Sequence, residues 1–85
     1  MARYFFDIHD GSKFFRDPEG HDCANMDEIR HEAMLSLPAI AKQEIPRLAA
    51  DTQAFTVVVR DEAGSALYTA TLTFAGLWLK EPVPS

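Results

Sequence analysis

One cysteine in the chain, Cys23, excludes an internal disulfide and fits a reducing compartment. No apolar run approaches the roughly 18–20 residues of a bilayer span. The opening Met-Ala-Arg-Tyr-Phe-Phe-Asp is too short an apolar block for a secretory signal. The expected location is the cytoplasm, with no membrane partner. Glycine is scarce, at 4 residues, and none builds a phosphate-cradling loop. Basic residues number 8 against 13 acids. Phosphate backbones call for a basic face, so nucleic acid is not an expected partner. Paired CxxC or HxxxH spacings are missing, as is an Asp-x-Asp-x-Asp-Gly calcium loop. No metal and no cofactor is expected.

What is present is an ordinary globular balance, 47% hydrophobic and 25% charged, in 85 residues. That is enough for one domain with a single core, expected over residues 1–79 with a frayed tail at 80–85. Three turn signatures end in glycine: Asp10-Gly11, Asp17-Pro18-Glu19-Gly20 and Asp61-Glu62-Ala63-Gly64. Each adjoins a short aromatic or β-branched run. Arg3–His9 reads as a strand with Tyr4, Phe6 and Ile8 on one face and Phe5, Asp7 and His9 on the other. Lys13–Arg16 reads as its return. Phe55–Arg60 alternates and is β-branched. Ser65 to about Phe74 returns from it, with Tyr68, Ala70, Leu72 and Phe74 opposite Leu67, Thr69, Thr71 and Thr73.

Between the hairpins lies the only stretch with helical periodicity. Asn25 as N-cap with Glu28 three residues on makes a capping-box pattern. At about 100° per residue, Met26, Ile29, Ala33, Leu37, Ile40 and Ala41 share one stripe. Pro38 falls near the polar side, and Pro46 sets the helix end between Glu44 and Leu48. The expected fold class is α+β, in the order β-β-α-β-β: an antiparallel sheet of about four strands with one helix packed on one face.

The segments Arg3–Gly11, Asp17–Gly20 and Val59–Gly64, with Glu32-Ala33-Met34 and Leu37-Pro38-Ala39-Ile40-Ala41 in the helix, carry a resemblance. From Met1 to about Leu79 the chain resembles a family of small single-domain bacterial proteins catalogued as a domain of unknown function. The resemblance implies a small cytoplasmic protein with no established activity and supplies no catalytic residues.

Three constellations remain as candidates. The net charge of −5 arises within residues 7–28, where Asp7, Asp10, Asp17, Glu19, Asp22, Asp27 and Glu28 face only Lys13 and Arg16. If the first two turns and the helix start converge, Asp7, Asp10, Asp17, Glu19 and Asp22 form an acidic end for a basic partner. Cys23 with His21 and His9 has the residue types of a thiol or metal-dependent enzyme, without a nucleophile motif. Phe5, Leu35 and Trp78 sit where solvent-facing residues are expected, and together would make a contact patch. The run Phe-Thr-Val-Val-Val would be an association edge if exposed. The favoured reading is a non-enzymatic module for protein interaction or self-association.

Overall fold

The computed structural model describes residues 1–83. Five strands and one long helix follow in the order β1 (Ala2–His9), β2 (Phe14–Phe15), β3 (His21–Cys23), α1 (Met26–Glu44), β4 (Thr52–Arg60) and β5 (Ala66–Ala75). A 3-10 turn, Ile45–Arg47, closes the helix with Pro46 inside it. All strand pairs are antiparallel, in the order β2-β1-β4-β5, with β3 also on β1. This is the expected α+β arrangement, one helix against a sheet, with one strand more than the sequence announced. Of the tail expected at 80–85, residues 84–85 lie outside the described residues, and 80–83 carry neither helix nor strand.

The turns do what their residues dictate. Gly11, Gly20 and Gly64 all have positive φ, where a Cβ is strained. At Gly20 the constraint is doubled. An added Cβ would stand 2.9 Å from both the Arg3 side chain and the Tyr4 carbonyl. The return strand expected over Lys13–Arg16 shrinks to Phe14–Phe15, paired with Ile8 and His9. Asp17 intervenes: its carboxylate accepts from the Phe6 N–H (3.1 Å) and the Gly20 N–H (3.0 Å), so a side chain replaces the ladder there. The chain then rejoins β1 as β3, with His21 opposite Tyr4 and Cys23 opposite Ala2.

Asn25 caps α1 in extended conformation, its Oδ1 accepting from the Glu28 N–H at 2.9 Å. Glu28 reaches back to the Ala24 N–H (2.8 Å), one residue beyond the usual capping-box donor. Ile29, Ala33, Leu37 and Ala41 are buried and Ile40 partly so, as the stripe requires. Met26 is the exception, 83% exposed beyond the end of the core. The helix packs on Phe6 and Ile8 of β1 and on Phe55, Val57 and Val59 of β4. Those three β4 side chains have no exposed surface, and each buried side chain of this size contributes about 1.5–3 kcal/mol.

Candidate functional site

The acidic residues of the first turns hold the chain together rather than gathering at one end. Phe14 pairs with His9 and Cys23 with Ala2, at opposite ends of β1. The Asp10 turn and the helix start are therefore about 23 Å apart, seven residues at about 3.3 Å each. Asp7 is buried on the sheet face away from α1. It accepts from Arg60 Nε at 2.7 Å and from the Asp17 N–H at 2.9 Å. Asp10 accepts from the Lys13 and Ser12 N–H groups, which hold its carboxyl below the usual range. Burial pushes the Asp17 carboxyl up, but the N–H groups of Gly20, Phe6 and Glu19 outweigh it, and His21 adds to them; the net pKa is lowered. Asp22 faces Arg3 across the strands at 3.3 Å. Glu19 is exposed.

The thiol constellation does not assemble either. Cys23 is buried, and its thiol is pushed up first by burial and then by the charges of Glu28, Glu32 and Asp22, the reverse of an activated nucleophile. His21 pairs with Tyr4, while His9 lies five residues along β1, about 16 Å away. His21 stands between Glu32 (3.6 Å) and Asp17 (3.9 Å), with its ring edge-on to Phe6. Among the described residues, no three His, Cys, Asp or Glu side chains come close enough to hold a metal.

Phe5, Leu35 and Trp78 occupy three separate places. Phe5 is half-buried on the face away from α1, under the Arg60 guanidinium at 4.7 Å from its ring. Leu35 is exposed on α1 opposite the buried stripe, and Trp78 is exposed beyond β5. The run Phe55–Val59 is no edge. It lies in β4, between β1 and β5.

The free edge is β5. Ala-Leu-Tyr-Thr-Ala-Thr-Leu-Thr-Phe-Ala has no charge and no proline, and nothing in the described chain pairs with its outer side. The opposite edge is built differently. There β1 is covered by two short strands, and Asp17 caps the Phe6 N–H in the gap between them. Along β5, the face shared with α1 is only partly covered: Tyr68 and Ala70 pack against the core, while Leu72 and Phe74 remain exposed. A groove results. Met26, Ile29 and Arg30 with Leu67 and Tyr68 line a cavity of about 560 Å³ at one end. Met34, Leu37 and Pro38 with Ala70 and Leu72 line one of about 270 Å³ at the other. A bulge between Val59 and Arg60 of β4 leaves Leu67 without an opposite residue and turns it into this groove, away from the threonine face where alternation had put it. Met34 is 61% exposed, and Leu67, Leu72 and Phe74 remain more than a third exposed. Sequence reasoning missed this surface. Its signal was there in β5: ten residues without one of the charges or prolines that guard an edge.

Fold and surface together define a small open-faced α+β domain, with one protected sheet edge and one bare edge beside an apolar groove. No helix among the described residues is long and apolar enough to cross a membrane. The DUF6894 domain of unknown function matches residues 3–73, and the chain belongs to that family. No curated protein and no solved structure matches it. The match takes in α1 and β5 to Thr73; Phe74 and the Leu77-Trp78-Leu79 segment lie beyond it.

Proposed function

We propose that this protein is a non-enzymatic, cytoplasmic interaction module that takes its partner by strand addition along β5. The bare ten-residue edge carries the reading. Unpaired N–H and C=O groups template a further strand, and natural edges without charges or prolines are covered ones. The groove beside the edge supplies pockets for alternate side chains of the added strand. The acidic reading has less support, since Asp7 and Asp22 are engaged by Arg60 and Arg3.

The test is capture by the immobilised protein from cell extract, comparing wild type with Leu72→Lys and with Leu35→Glu. Partners taken at β5 are lost with Leu72→Lys and kept with Leu35→Glu, and they survive a rise in salt. Capture that ignores Leu72→Lys, or that fades steeply with salt, would count against strand addition and favour a charge-led contact.

A further inference from the structure

We propose that the strand added to β5 is β5 of a second copy, related by a two-fold axis through Leu72, and that each copy seats Trp78 in the groove of the other. The proposal rests on the strand-addition reading and names its occupant.

Area points to a partner of this size. A monomer of 9.5 kDa exposes about 5,000 Å², whereas this chain exposes 6270 Å². Much of the excess, roughly 1,200 Å², lies in the irregular segment after β5, and the whole is of the order of the ~800 Å² that one partner loses in a stable interface. The surplus has named apolar members. Leu67, Leu72 and Phe74 lie on β5, Met26 and Met34 flank them on α1, and Leu77, Trp78 and Leu79 follow the strand, 84%, 68% and 92% exposed.

Symmetry then fixes the register. Antiparallel β5 strands must keep Tyr68, Ala70, Leu72 and Phe74 on the helix side in both copies, so the axis passes through a residue and not between two. With Leu72 facing itself, large meets small along the apolar face: Phe74 lies opposite Ala70, and Tyr68 opposite Gly76, where an aromatic ring covers a glycine. On the other face Thr71 meets Thr73. Past Tyr68 the bulge takes Leu67 out of the count, so this register carries the second copy's Leu77 to Ala66 and its Trp78, on the helix side, to Ser65. The indole thus arrives at the wider end of the groove, between Met26 and Tyr68. Among the described residues, the 560 Å³ there has no occupant from its own chain, and Trp78 is 68% exposed.

Trp78 is the sole tryptophan, so its emission reports its seat directly. The experiment follows emission and sedimentation of the purified chain from low micromolar to millimolar concentration, and oxidises Leu72→Cys and Ala70→Cys variants. Cys23 is buried and remains silent. The expected result is a dimer whose emission shifts to shorter wavelength as it forms. Leu72→Cys closes an intermolecular disulfide, whereas Ala70→Cys, about 13 Å from its own copy in this register, does not. Leu72→Lys sets two lysines against each other and abolishes both dimer and shift, with its circular dichroism showing that it still folds. A dimer with solvent-exposed Trp78, or with cross-linking at Ala70 in place of Leu72, overturns the exchange and its register. A strict monomer at millimolar concentration overturns self-pairing altogether. Leu72-dependent capture from extract would then leave strand addition to a different partner standing.

Discussion

Asp7 is the most exacting single residue in the chain, a buried carboxylate held by one guanidinium and one backbone N–H. Replacing it with alanine leaves Arg60, which is only 21% exposed, without its counter-charge. Asp7→Ala is expected to lower unfolding free energy by about 3 kcal/mol, read from the urea midpoint. The neighbouring Asp17 sets an acid limit. Its folded pKa lies below the ordinary 3.8, so its contribution is full above that value and is lost as pH falls through the lowered folded pKa. Wild-type stability is expected to decline below about pH 4, and Asp17→Asn to flatten that decline; an unchanged slope in the variant would show that other carboxylates set the limit. At this scale the sequence was readable for residue types and silent on partners. The first turns collect acids because loops and caps use them, yet nothing in the order of residues says that Asp7 would find Arg60, fifty-three positions away.

At the scale of elements, the turns and the helix were legible because their signals are local. Asn25, Glu28 and Pro46 bound α1 where capping chemistry and proline geometry place it. β3 was not legible. Three residues, His-Asp-Cys, have no periodicity to show, and they form a strand only because Asp17 returns the chain to β1. The bulge that redirects Leu67, and the inner place of β4, are equally non-local, since both depend on which strands pair. Two of the three glycine turns differ in a measurable way. Gly64→Ala meets only backbone strain, for no atom lies within 4 Å of the added Cβ, whereas Gly20→Ala also meets the Tyr4 carbonyl at 2.9 Å. The first is expected to cost about 1 kcal/mol in thermal or urea unfolding and the second measurably more. Equal losses would mean that the Gly20 loop shifts freely off β1.

For the whole molecule, the proposed association has a consequence that can be measured. A folded state stabilised by a second copy gains stability with concentration, so the melting temperature is expected to rise from micromolar to millimolar protein. That rise should persist at high salt, because the pairing strand itself carries no charge; a melting temperature independent of concentration would contradict it. The unlike edges of the sheet also decide where assembly ends. Growth by strand addition needs a donor and an acceptor at opposite sides, and here β2, β3 and the Asp17 cap close one side. Two copies that meet at their bare strands present to a third only the two- and three-residue strands β2 and β3, too short and broken to template another. A chain with an unguarded ten-residue β-strand would ordinarily be a seed for fibres; this one carries its own terminator, and the reaction that its edge invites can run for a single step.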